Sequence, residues 1–223
     1  MINANKEFLY ISINLEKFFD DNGNFDDDDM EETIGIAIRM LDNVVDINYY
    51  PVKETRTANL RHRPIGLGMM GFQDALFKQN LSYADPKTLE FADRLTEKFS
   101  YHAIMNSSKL AKERGTYSSY KGSKWSKGIL PHDTMDILEK ERGIKVETTK
   151  DVYLDWEPVR AHVKEYGMRN SNTMAIAPTA TIANISGCFP CIEPLYSNMY
   201  VKANMVGEFT VVNSYLVNDL KKV

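Results

Sequence analysis

The chain has 223 residues, 43% hydrophobic and 26% charged, with 27 basic and 31 acidic side chains and a net charge of −4. These are the proportions of a soluble globular protein of one large domain or two small ones, and they argue against a nucleic-acid tracking surface. No apolar run approaches the roughly 18 residues of a membrane helix, residues 1–10 lack the basic start and apolar stretch of a secretory leader, and the two cysteines make no disulfide framework, so the expectation is a cytoplasmic enzyme or binding protein without a membrane partner.

Residues 8–14 are apolar and β-branched, which predicts a short strand. DDNGNFDDDD follows, an acidic turn whose aspartates suit the start of a helix. It lacks the alternating oxygen ligands and closing glutamate of a calcium loop. Ile34, Ala37, Ile38, Leu41, Val44 and Val45 then recur at helical spacing, predicting a helix over 30–48 that Pro51 closes. The next stretch carries a basic cluster, Arg61-His62-Arg63, a glycine-rich turn and a helix over about 71–79. A long helix begins with Asp85 as cap and Pro86 in its first turn, and Gly115 ends it. Residues 116–132 read as a loop whose aromatic residues pack on something. Short helices follow at 133–142 and 155–166, the second stopped by Gly167. A strand at Thr173–Ala177 then leads into Pro178-Thr-Ala-Thr181 and a new helix. Helices alternating with short apolar segments predict an α/β fold.

Three local patterns could carry chemistry. Gly66-Leu-Gly-Met-Met-Gly71 fits the dinucleotide fingerprint, in which glycines let a backbone close on a pyrophosphate. Its context is poor, because the preceding Arg-His-Arg-Pro-Ile is no clean strand and no strand ends in an acid about 20 residues on. Tight backbone packing is the favoured reading. Cys188-Phe-Pro-Cys191 is either a redox pair, half of a zinc site, or two small buried residues. His62, His102, His132 and His162 show no spacing that would complete a metal site. At 178–181 a helix start leaves about four N–H groups free, and small residues let an anion approach them. The competing reading is that Thr179 or Thr181 caps its own helix.

Several ordered stretches together resemble the large, catalytic subunit of class I ribonucleotide reductase. They are Ser12-Ile-Asn-Leu15, Leu41-Asp-Asn-Val-Val-Asp-Ile-Asn-Tyr-Tyr-Pro51, Arg63-Pro-Ile-Gly-Leu-Gly-Met-Met-Gly-Phe72, Lys127-Gly-Ile-Leu-Pro131, Gly167-Met-Arg-Asn-Ser171, Met174-Ala-Ile-Ala-Pro-Thr-Ala-Thr181, Ile192-Glu-Pro194 and Gly207-Glu-Phe209. They stand in the family's order at about its spacing, and they cover nearly all of the chain from residue 11 onward.

The resemblance implies that residues 11–223 are a later segment of a ten-stranded α/β barrel, a partial barrel preceded by an atypical segment at 1–10. It implies reduction of ribonucleoside diphosphates to deoxyribonucleotides, with Thr179, Ala180, Thr181 and Ile182 offering backbone N–H and hydroxyl donors to the substrate's diphosphate. The family's glycine-rich stretch is a barrel strand with its following helix and binds no cofactor.

The departures from the family fall at its catalytic cysteines. Its Asn-x-Cys-x-Glu loop has no counterpart here, and Phe8 stands where one redox cysteine belongs. Tyr49-Tyr50 does not match the family's radical-relay tyrosines. Its C-terminal cysteine pair is also missing, and Cys188 and Cys191 fall at a different motif. The expectation is therefore a fragment with no catalytic residue, metal or cofactor of its own. It would need a complementary large-subunit chain carrying the catalytic cysteine, and a separate metal-containing small subunit that generates the radical. A non-catalytic nucleoside-diphosphate-binding module is the alternative, and a decayed remnant without a stable fold is a third reading.

Overall fold

A computed structural model describes residues 9–204 and 207–222. Phe8 lies outside the described residues. The elements run β1 (Leu9–Asn14), α1 (Asp27–Ile47), α2 (Lys53–His62), β2 (Ile65–Met70), α3 (Phe72–Lys78), α4 (Pro86–Arg114), α5 (Asp133–Arg142), α6 (Glu157–Tyr166), α7 (Ala180–Ser186), β3 (Met199–Asn204), β4 (Gly207–Val212) and α8 (Ser214–Leu220).

β1 and β2 pair in parallel, with Ile11 opposite Leu67 and Ile13 opposite Met69. Parallel strands need a long crossover, and α1 and α2 provide it. Asp26 caps α1 by accepting from Asp29 N–H, and Asp27, Asp28 and Asp29 face its positive end. The predicted apolar stripe is buried at Ile34, Ala37, Ile38, Leu41 and Val45, while Val44 is half-buried. It packs with Ile13, Ile65, Leu67 and Met69 in one core that also takes in α3 and Leu95, Phe99, Ala103 and Leu110 of α4. The cap and stop of α4 are as predicted: Asp85 accepts from Lys87 N–H, and Gly115 ends the helix at φ 79°. A second core forms where α6 and the 116–132 loop meet the later half of α4, around Ile104, Tyr117, Leu130, Trp156, Val159, Val163 and Met168. The loop's aromatic residues thus have their partner.

The local reading of a glycine-rich turn is corrected, and the strand with a following helix that the resemblance implied is present. Residues 65–70 are a strand buried at every position. Added Cβ atoms at Gly66 and Gly68 would lie 2.7 Å from the Tyr10 ring and 2.5 Å from the Ala175 carbonyl oxygen. The glycines let neighbouring chains approach this closely. The basic cluster follows from α2, a helix not read in the sequence, whose last turn holds Arg61 and His62.

The predicted strand at 173–177 is a single bridge. Ile65 N–H donates to Asn172 O at 3.1 Å, Leu67 N–H to Thr173 O at 2.9 Å and Ala175 N–H to Leu67 O at 3.1 Å, and Met174 alone bridges Leu67. Beyond Ala175 the chain leaves β2 towards Pro178, which has no N–H to continue a ladder. β3 and β4 form a separate antiparallel hairpin. The fold is α/β as expected, but the strands described make two two-stranded sheets and not a closed barrel. No helix among the described residues is long and apolar enough to cross a membrane.

Candidate functional site

The turn at 178–182 lies at the end of the bridged segment beside β2. Thr179 occupies the cap position of α7 but makes no side-chain cap bond. It is 2% exposed, and its Oγ1 accepts instead from the Cys191 N–H at 2.7 Å. Ala183 N–H closes the first turn onto Thr179 O at 2.8 Å. The N–H groups of Ala180, Thr181 and Ile182 meet no acceptor among the described residues, as the geometry of a helix start requires. All three residues are exposed, and the partial positive charge of a helix start lies at these amides. The four residues singled out from the sequence are therefore divided in role: Thr179 is an internal anchor, and Ala180, Thr181 and Ile182 are the open face.

The anchor belongs to a larger clamp. Gly71, at φ 75°, starts α3 and donates its N–H to Phe189 O at 2.8 Å, and Phe72 N–H donates to Cys191 O at 3.5 Å. The start of α3 is thus bonded by protein carbonyls at Gly71 and Phe72, as the tight-packing reading of the glycine motif expects. Asp74 Oδ2 accepts from Phe189 N–H at 2.7 Å, and Gln73 Oε1 accepts from Leu195 N–H at 3.2 Å. Burial pushes the Asp74 carboxyl up to about 6, against the opposing hydrogen bonds from Phe189 and the Tyr215 hydroxyl. Tyr215 is pushed up in turn by burial and by Asp74.

Both cysteines are free, Cys188 half-buried and Cys191 buried. Burial, with Asp74 and Glu16 adding to it, pushes the Cys188 thiol up to about 11. A redox-active C-x-x-C needs the opposite shift, towards thiolate. Among the described residues no group of three or more His, Cys, Asp or Glu is placed to hold a metal ion.

β1 and β2 present Tyr10, Ser12 and Asn14 beside Gly66, Gly68 and Met70 on the face opposite the first core. Asn14 Oδ1 accepts from Glu16 N–H at 3.1 Å, and its buried Nδ2 has no hydrogen-bond partner.

Sequence reasoning missed the charged hub that holds this frame. Asp42 is fully buried. It accepts from Arg63 Nε at 2.8 Å, Arg114 Nη1 at 2.9 Å, Arg169 Nε at 3.2 Å and Asn170 Nδ2 at 3.2 Å. Arg63, in the left-handed region at φ 46°, also reaches Asp46 at 2.7 Å. Burial alone would raise the Asp42 carboxyl; the hydrogen bonds and charges of Arg63, Arg169 and Arg114 override it and hold the group below the usual carboxylate range. Ser107 Oγ donates to Asn170 Oδ1 at 2.9 Å. The hub joins α1, the end of α2, the end of α4 and the segment that runs on to the 178–182 turn. The available signal was that Asp42, Arg63, Arg169 and Asn170 are polar residues inside three of the motifs already singled out.

A parallel pair with helical crossovers, a third segment beside it and an open turn at that segment's end define an α/β domain with a candidate anion seat. The family model described as the ribonucleotide reductase barrel domain matches residues 11–223, and the chain belongs to that family. It is 55% identical, over 95% of its length, to the ribonucleoside-diphosphate reductase subunit alpha of Chlamydia muridarum, of which it covers 20%. It is 39% identical to the subunit of the same name from Helicobacter pylori, over 90% of this chain and 24% of that protein. The ribonucleoside-diphosphate reductase large chain of Neurospora crassa is 36% identical over 94% of this chain and 21% of its own length. The chain thus spans about a fifth to a quarter of the curated relatives it matches.

Proposed function

We propose that this chain is a partial barrel that contributes the diphosphate-holding turn to a ribonucleoside-diphosphate reductase. Ala180, Thr181 and Ile182 hold the substrate's phosphates through their backbone N–H groups, with the Thr181 hydroxyl as a further donor, and buried Thr179 fixes the turn. The observation that carries this reading is the set of three exposed amides without acceptors at the start of α7. Phosphate groups suit such a cluster because the donors and the helix dipole act together.

The chemistry itself requires a complementary large-subunit chain carrying the catalytic cysteine, with a small subunit supplying the radical. β1 and β2 make a two-stranded sheet, and a barrel needs further strands beside such a pair. Ile36 and Met40 of α1 are 53% and 54% exposed, an apolar flank suited to a packing partner. The test is to mix this chain with a separately expressed polypeptide bearing the Asn-x-Cys-x-Glu loop and with the small subunit, then assay CDP reduction. Activity restored only in the full mixture supports the reading, and failure of the two large-subunit pieces to associate at micromolar concentration contradicts it.

A second reading is a nucleoside-diphosphate-binding module without a reaction, which the absence of an Asn-x-Cys-x-Glu motif from the sequence favours. CDP binding by this chain alone, with no activity in the full mixture, would select it.

A further inference from the structure

The first turn of α3 and the turn at 178–182 are far apart in sequence but joined by a short relay. Asp74 is 3% exposed. An acid in the first turn of a helix ordinarily serves its own helix. This one reaches Phe189, 115 residues on, and accepts its N–H at 2.7 Å. Gly71 N–H holds the Phe189 carbonyl at 2.8 Å, so residue 189 is gripped at both backbone polar groups. Two residues later Cys191 takes φ 51°, which a side-chain-bearing residue adopts only when its surroundings require it. In that conformation its N–H points to the buried Thr179 hydroxyl at 2.7 Å. The loop at 188–191 is therefore a spacer of set length, fixed to α3 at one end and to the base of the turn at the other.

We propose that Asp74 is a positioning residue for the 178–182 turn, acting through Phe189, Cys191 and Thr179, an inference that rests on the reading of that turn as the diphosphate seat. The role needs an oxygen acceptor at this position for the buried Phe189 N–H, not a charge. The Tyr215 hydroxyl bonds the same carboxyl. Loss of the carboxyl group frees residue 189, lets Cys191 relax from its left-handed conformation and releases Thr179, so the three open amides lose their common aim. No contact between Asp74 and the ligand is needed.

The test compares the full chain with Asp74→Ala, Asp74→Asn and Thr179→Val, reading amide hydrogen exchange at residues 189 and 191 and CDP affinity by calorimetry. In Asp74→Ala, exchange at both amides is expected to rise about tenfold or more, and CDP to bind about tenfold more weakly. Asp74→Asn keeps an oxygen acceptor and is expected to restore both within about twofold. Thr179→Val cuts the relay at its far end, freeing the Cys191 amide while that of Phe189 stays protected. Unchanged Cys191 exchange in Asp74→Ala overturns the proposal, as does an Asp74→Asn variant as impaired as the alanine. If Asp74→Ala does not fold, Thr179→Val decides, and unaltered exchange at Cys191 with unaltered CDP affinity overturns it. A wild-type chain that takes up no CDP removes the phosphate reading, and the exchange measurements then decide the relay on their own.

Discussion

The Cys191 amide donates to the Thr179 hydroxyl at 2.7 Å, and both residues are buried. This bond turns the threonine of a helix start inward, away from its own helix. Replacing Thr179 by valine keeps the shape and leaves a buried N–H without an acceptor. The expected cost is about 1–3 kcal/mol of stability, read as a lowered urea midpoint. Thr179→Ser, which keeps the hydroxyl, is expected to lose less than half of that.

Asp42 sits among three guanidinium groups with no solvent exposure. Asp42→Ala removes the carboxylate that Arg63, Arg114 and Arg169 share, leaving Arg63 with Asp46 and Arg169 with backbone carbonyls, and breaking a buried pair costs about 3–5 kcal/mol. The wild-type group also sets a pH dependence. Its folded pKa is depressed, so its contribution is present above the unfolded value and is lost as pH falls through the folded one. Denaturant titrations at descending pH should show this acid loss in the wild type and a shallower one in Asp42→Asn.

Asp74 has the opposite sign. Its carboxyl is raised from 3.8 to about 6, so the folded state holds the proton more tightly than the unfolded chain. Stability therefore declines as pH rises from about 4 to about 6 and is level above that, a change of at most about 3 kcal/mol from this group. Asp74→Asn is expected to abolish the decline and to be the more stable protein at pH 7.5. Thermal melts across pH 4–8 distinguish the two.

Cys188, with its thiol pushed up to about 11, is expected to alkylate slowly. At pH 8 its rate with iodoacetamide should be about a hundredfold below that of an unperturbed cysteine, because the thiolate is the reactive form. Mass spectrometry of the labelled 188–191 peptide measures it, and labelling at the rate of a free thiol would contradict the buried setting.

The elements visible in the sequence are those with local signals. β1, α1, α4, α5 and α6 each carry periodicity, a cap or a terminal glycine, and each forms about where those signals place it. β2 was implied only by the family resemblance, because Ile-Gly-Leu-Gly-Met-Met is buried at every position and shows no alternation of apolar with polar residues. α2 was hidden because Lys-Glu-Thr-Arg-Thr-Ala-Asn-Leu-Arg-His is mostly polar and has little apolar face to read. The hub at Asp42 draws on residues 21, 72 and 127 positions away, a convergence that no local pattern encodes. At the candidate site the turn itself was legible from its small residues and the proline. The inward anchor of Thr179 was not, because it depends on the left-handed backbone of Cys191.

The central claim is that the open amides of 180–182 hold a diphosphate, and calorimetric titration of the chain with CDP tests it most directly. Proline at the second position of α7 removes one of the three donors. The account expects measurable CDP binding by the wild type and at least about tenfold weaker binding by Thr181→Pro, the loss of a charged-group hydrogen bond. Equal CDP binding by the two proteins, with both folded, would contradict it.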